Sequence, residues 1–389
     1  MRNAVTTIRV FAVALALAAG TAASAQSFTP LAFGPLGAAL PAGQYYTSTI
    51  DISGDGLSFV GVLNNNSVLF HTPGANYTLA NSQTYTVAAL ARDGQTVVGG
   101  GAAGATTPQR WNLGSAVGTS ISPVGITWPG GPVAYGAAYG VNSNATVFSL
   151  PTPTAIITPT GYTSAQSAFN AADPFSTAGA LRGIASDAPI EYLLGHTSLS
   201  TTNGYRWNFS TGAVVPMTMP AGASSIEFGS TGNAVSADGL RVSGSASIGG
   251  LARPCWWDAS GTPQLVPMAA GAFGGSMNAM NYTGTLGGGA MNFTVPTGNR
   301  AFMYALDSGT MFDLNQIYSA AGLLPAGWTL RFTQHISDDG NRIFCLATAP
   351  DGSTQAVLLT GNFNLPTPGA ATTLALGGVF ASRRRRRPA

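Results

Sequence analysis

A ten-residue pattern of aliphatic and polar positions recurs along the chain. It first occupies residues 52–61 as ISGDGLSFVG and returns as LARDGQTVVG from Leu90, VSADGLRVSG from Val235 and ISDDGNRIFC from Ile336. An aliphatic residue leads into a small or polar pair, Asp-Gly, two variable positions, an aliphatic residue or Phe, and usually Gly. Asp-Gly between short runs of β-formers favours a tight turn with positive φ, so each copy predicts a hairpin. Looser copies begin at Val141 (VNSNATVFSL), Ile184 (IASDAPIEYLLG) and Met280 (MNYTGTLGGG). The seven boxes are spaced by about 47 residues on average. Repeats of that length built from short strands, without amphipathic helical stretches, predict an all-β fold, a β-propeller of seven blades.

Two further patterns keep step with the box. A strand with a large residue follows it, at Leu69-Phe70, Arg110-Trp111, Arg206-Trp207, Cys255-Trp256, Ala301-Phe302 and Ala356-Val357. A Pro-Gly corner precedes it at Pro41, Pro129, Pro220 and Pro325. After the last box there is sequence for only two more strands, whereas residues 28–40 lie spare ahead of the first. Placing that segment in the last blade closes the ring with an N-terminal strand and removes open sheet edges.

Composition agrees with many short strands joined by turns: Gly 51 and Pro 24 accompany 45% hydrophobic and 8% charged residues. The formal charge of +2 is set by the chain ends. Without the terminal Arg2, Arg9 and Arg383 to Arg387, nine arginines face 14 acidic residues, and there is no Lys. The body therefore lacks the basic face that nucleic-acid binding requires. Cys255 and Cys345 are too few for a disulfide scaffold; two buried free thiols are expected, a single bridge being the alternative in an oxidising compartment.

The two ends read as addresses. Residues 1–25 have the form of a secretory signal: a positive start at Arg2 and Arg9, an apolar run over residues 10–19 and small residues at Ala23 and Ala25 for signal peptidase. The repeat domain then spans residues 26–362. Residues 363–389 form a tail in which Pro366-Thr367-Pro368 precedes about a dozen mainly apolar residues and the run Arg383, Arg384, Arg385, Arg386, Arg387. This tail resembles the PEP-CTERM sorting signal of bacterial surface proteins, with Thr367 where that signal carries Glu. The resemblance implies an exosortase-like processing partner and transient membrane association through the tail. Leu365-Pro366-Thr367-Pro368-Gly369 also echoes a sortase signal, although Pro368 stands where that motif has Thr.

The repeats themselves are similar to the bacterial extracellular HAF family, most of all from Gly309-Thr310-Met311-Phe312-Asp313-Leu314-Asn315 through Gly327-Trp328-Thr329-Leu330 to Ala356-Val357-Leu358-Leu359. That resemblance implies an exported, propeller-like protein of the cell surface or extracellular matrix, without an assigned activity.

Candidate chemistry is sparse. Asp51, Ser53 and Asp55 with Gly56 have the spacing with which an EF-hand calcium loop begins, but Val62 stands where the bidentate Glu belongs. Because Asp55, Asp93, Asp238 and Asp339 recur at one box position, their expected role is to accept N–H bonds inside the turn; calcium is the lesser alternative and no other cofactor is expected. His71, His196 and His335 show no metal-binding spacing. Glu191 and Glu227 are the only glutamates, and nothing in the spacing pairs either with an Asp for glycoside chemistry. Trp111, Trp207 and Trp256 fall in phase and are expected between blades, which leaves Trp257 and Trp328 as the candidate ligand-binding aromatics. The chain thus reads as a non-enzymatic surface or matrix propeller binding glycan or protein. A polysaccharide-acting enzyme and a structural spacer are the alternatives.

Overall fold

The computed structural model describes residues 27–36, 40–80, 87–100, 108–122, 124–125, 138–141, 147–149, 155–158, 161–164, 180–185, 192–196, 204–208, 213–229, 234–294 and 297–364. Its strands form seven sheets. Their first strands are Tyr46–Ile52, Val87–Leu90, Ala138–Val141, Ala180–Ala185, Ala223–Phe228, Ala272–Met280 and Thr329–Ile336. Successive strands of each sheet pair antiparallel, blade by blade. The fold is the expected seven-bladed propeller, and the degenerate copy at Met280 builds a full blade from Ala272–Met280, Leu286–Thr294, Thr297–Ala305 and Thr310–Asp313.

The ring closes as the spare segment predicts. Ser27–Pro35 pairs with Thr354–Asn364 and so supplies the outermost strand of blade seven. Blade one grows in a way the sequence did not announce: Ala116–Val117 and Ser120–Ile121 leave blade two after its third strand, and Ser120–Ile121 pairs in parallel with Ala75–Leu79. By contacts the blades fall in a unit spanning Thr29–Asn362, and a second unit combines Met1–Phe28 with Phe363–Ala389. In that second unit Phe28 stacks on Phe363, with ring centroids 4.3 Å apart. Among the described residues no helix is long and apolar enough to cross a membrane.

The box forms its hairpin by a different turn from the one Asp-Gly suggests. The carbonyl of Ser53 accepts from the Gly56 amide at 2.9 Å, and the same bond joins Ala91 to Gly94, Ser236 to Gly239, Asn281 to Gly284 and Ser337 to Gly340. Asp, or Thr283 in blade six, is therefore the third residue of the turn and Gly the fourth. Gly56, Gly94, Gly239, Gly284 and Gly340 have φ of 65° to 75°, while the one non-glycine with positive φ among the described residues is Asn66. A second turn precedes several first strands: Pro41 to Gln44, Pro220 to Ala223, Ala269 to Ala272 and Pro325 to Trp328 each close an i to i+3 bond. Gly43, Gly222, Gly271 and Gly327 take the positive φ of its third position, as type II geometry requires.

Six of the seven first strands share another feature. A register shift lies two residues before the box, at Ile50, Ala88, Tyr139, Arg182, Asn278 and Gln334. Such bulges raise local twist and re-aim the chain into the turn. They bring the turns close enough to bond each other. Position three of the box donates its amide to the carbonyl of position three in the following blade: Ala237 to Tyr282, Asp338 to Gly54, and Gly54 to Arg92, at 2.7 to 2.8 Å. Between blades six and seven the side-chain amide of Asn281 makes the link, onto the Asp338 carbonyl at 3.1 Å.

One helix was not expected. Leu314–Ala320 follows the fourth strand of blade six, its amide at Gln316 capped by the Asp313 carboxylate at 3.1 Å. Helix-period spacing over seven residues is too short to stand out from the surrounding strands.

A candidate binding cleft at the ring closure

Two interfaces between blades are built alike. On the third strand of blade two, Trp111 lies opposite Val97; on that of blade five, Trp257 lies opposite Val242. Both indoles are fully buried. Trp111 packs with Phe70 and Leu79 of blade one, and Trp257 with Met217 of blade four. Their ring N–H groups donate to the preceding blade, Trp111 to the Ala80 carbonyl at 2.9 Å and Trp257 to the Thr218 carbonyl at 2.8 Å.

This corrects the sequence reading of Trp257 as a ligand-binding aromatic. The strand register places Trp257, not Trp256, in phase with Trp111, so the adjacent pair was assigned one residue out. Trp257 is 0% exposed and serves the core, whereas Trp256 is half-buried, with the Arg241 guanidinium over its ring.

In blade one the same register position holds His71, opposite Phe59. Bulk has moved one strand inward: the larger ring is on the second strand and the smaller on the third. The space beneath the two outer strands stays open as a cleft of about 380 Å³. Phe33 and Leu36 of blade seven's N-terminal strand and the turn after it form one wall, and Tyr46, Phe59, His71 and Asn76 of blade one form the other. His71 stacks on Phe59, with centroids 4.6 Å apart, and its Nδ1 lies 2.7 Å from Asn76 Oδ1. A carboxamide oxygen accepts only, so Nδ1 carries the proton and Nε2 is left as an acceptor. The Tyr46 ring lies over Gly61, where a Cβ would come within 2.6 Å of it, which explains the closing Gly of this box. Its hydroxyl is buried without a hydrogen-bond partner, and burial raises its pKa well above the usual phenol range.

Trp328, the other aromatic singled out in the sequence, is half-buried and meets Phe33 edge-on, with centroids 5.3 Å apart. It thus stands beside the cleft. What sequence reasoning missed is His71, whose signal is that it shares the strand register of Trp111 and Trp257.

The calcium candidates are committed elsewhere. Asp51 is buried and accepts from the Ile52 and Leu90 amides, both at 2.9 Å. Ser53 Oγ donates to Asp55 Oδ1 at 2.6 Å and accepts from the Ser58 amide, and Asp55 also accepts from the Leu57 amide. Ser236 with Asp238 and Ser337 with Asp339 repeat the arrangement. Among the described residues no three His, Cys, Asp or Glu side chains gather as a metal site. Cys255 and Cys345 are free, buried thiols; burial raises both, Cys345 to about 12. Glu227 is exposed. Glu191, the His196 side chain, the signal residues Ala23 and Ala25, and the tail residues Pro366 to Pro368 and Arg383 to Arg387 lie outside the described residues.

No family model and no curated protein sequence matches the chain. Solved structures do match its fold. An oligogalacturonate lyase in complex with manganese aligns at 10% identity and a TM-score of 0.50, over 86% of this chain and 97% of that one. YCF48 from Cyanidioschyzon merolae gives 13% and 0.50, over 85% and 99%. A GH74 xyloglucanase from Xanthomonas campestris gives 12% and 0.50, over 85% of this chain and 55% of that one. At such identities the likeness establishes the propeller fold alone.

Proposed function

We propose that this chain is an exported, non-enzymatic binding propeller of the cell surface or matrix, and that it engages an extracellular glycan or protein through the cleft between blades seven and one. The observation that carries this reading is the cleft at the junction of blades seven and one, where His71 stands at the register position that Trp111 and Trp257 fill in blades two and five. Its lining offers aromatic rings, an imidazole acceptor, an amide and a hydroxyl, and includes no carboxylate. That set suits recognition better than hydrolysis, which needs placed acids and bases. The signal-like start and the Arg-rich tail support export and surface retention, with signal peptidase and an exosortase-like enzyme as processing partners.

The test is binding of the mature chain to an array of bacterial surface glycans and matrix proteins, repeated with His71→Trp. Binding is expected for the wild type and lost in the variant, whose new indole fills the cleft. A variant that binds as the wild type does would place the binding surface elsewhere.

A further inference from the structure

We infer that the cleft receives a tryptophan side chain presented by a partner polypeptide. This rests on the cleft being the binding site and narrows the partner to a protein with an accessible indole.

The argument is the fold's own repetition. At two other junctions the corresponding space holds an indole from the third strand of the following blade, pressed against Leu79 or Met217 of the preceding one and donating its N–H to a backbone carbonyl. Leu36 takes the place of Leu79 and Met217 at the closing junction: its amide bonds to Ala356, as that of Val266 bonds to Pro254 at the matching point of blade five. Leu36 is buried like its counterparts. The apolar wall that meets the indole at those two junctions is therefore present, and His71 stands where the indole would be; Tyr304 and Leu359 hold the position in blades six and seven.

The polar groups fit the same guest. An indole brings one donor and no acceptor. His71 Nε2 is an acceptor, its proton being held on Nδ1 by Asn76. The Tyr46 hydroxyl, on a residue 1% exposed and lining the cleft, has lone pairs and no partner. That hydroxyl lies out of solvent's reach, so the imidazole is the acceptor open to a guest. The cleft volume of about 380 Å³ is larger than one ring system needs, leaving room for backbone on either side. Its outer rim carries Phe33 against Trp328, a further aromatic surface for flanking residues.

The experiment titrates the full chain with a short blocked peptide centred on Trp, followed by calorimetry and by protection of the His71 ring resonances. The Trp peptide is expected to saturate, and the same peptide with Ala in place of Trp to show no binding. His71→Trp should abolish binding. His71→Phe, which keeps a ring and removes the acceptor, should weaken it roughly tenfold, whereas Tyr46→Phe, at a hydroxyl the guest does not reach, should leave it unchanged. No saturation by the Trp peptide, or equal binding of the Ala peptide, overturns the inference. If the Trp peptide fails while a glycan binds in a manner sensitive to His71→Trp, the cleft stands as the binding site and the indole assignment alone falls. If nothing binds in a His71-dependent way, both fall.

Discussion

Asp51 Oδ1 and His335 Nδ1 face each other at 3.8 Å across the junction of blades one and seven, both side chains buried. Burial pushes the Asp51 carboxyl up to about 7, against the opposing pull of the Leu90 and Ile52 amides. Burial pushes His335 down to about 4, against the opposing effect of the Thr49 backbone. In mildly acid solution the pair is accordingly a neutral acid beside a neutral imidazole.

The two groups act on stability in opposite directions. Asp51, raised in the folded state, contributes stability that is full below its unfolded value of about 4 and is lost as pH rises to about 7. His335, depressed, contributes stability present above about 6.5 and lost as pH falls to about 4. Between about 4 and 6.5 they offset, so the pair adds little pH dependence there. Asp51→Asn should unmask the histidine, with stability rising with pH through that window. His335→Gln should unmask the acid, with stability falling. Each slope is at most about 1.4 kcal/mol per pH unit, readable from urea midpoints at a series of pH values. Parallel slopes in the two variants would refute the assignment.

Trp257 and Trp328 differ sharply in what they support. Trp257→Ala removes a fully buried ring and its N–H bond to Thr218, so a loss of about 3–5 kcal/mol is expected. Trp328→Ala removes a half-buried ring in contact with Phe33, with an expected loss of about 1 kcal/mol. Chemical denaturation of the two variants checks the order.

The blade number, the ring closure and the free thiols were legible because each rests on a period or a count that survives along one dimension. The cleft was not, because it depends on strand register. Trp256 and Trp257 are neighbours in the chain, and a slip of one residue exchanges the buried face for the outer one. Pairing Val242 with Trp257 is what separates the core ring from its outer neighbour, and pairing Phe59 with His71 is what puts His71 at the matching position of blade one. The Asp residues of the boxes were legible as turn formers, but their partners in neighbouring blades were not. Position three of a box looks variable in sequence, although its backbone links successive turns and the side chains of Arg92, Asp338 and Tyr282 at that position also meet.

Ser337 and Asp339 give a measure of one such turn. Partial burial pushes the Asp339 carboxyl up, but Ser337, the Asn341 amide and side chain, and nearby Arg342 outweigh it and hold it below the usual carboxylate range. The depressed value means stability present above about pH 4 and lost as the carboxylate protonates at lower pH. Ser337→Ala removes a donor to Asp339 and an acceptor for the Arg342 amide, with an expected loss of about 1–2 kcal/mol at neutral pH and a smaller loss in acid. Calcium is expected to leave the melting temperature unchanged, because the turn's oxygens already accept protein donors; a calcium-dependent rise would restore the metal reading.

Arg342 and Arg241 occupy one box position and reach into the following turn, Arg342 Nη1 to the Asp55 carbonyl at 3.0 Å and Arg241 Nη1 to the Gly284 carbonyl at 2.7 Å. Arg342 spans the closing junction, from the last box to the first. Arg342→Ala should therefore cost about 1–2 kcal/mol and loosen the seam, seen as faster hydrogen exchange at Asp338 and Gly54 than at Ala237. Uniform exchange around the ring would show that the guanidinium adds nothing specific there.

Ser27–Pro35 ends the seventh blade, and that has a consequence for assembly. This strand is the first part of the blades to be synthesised and the last to find its partner, since Thr354–Asn364 follows more than 300 residues later. Throughout that interval it is an unpaired edge looking for a mate. A neighbouring molecule offers the same Thr354–Asn364 edge as its own chain does, so crowded refolding should yield molecules that have traded first strands, each completing the other's ring.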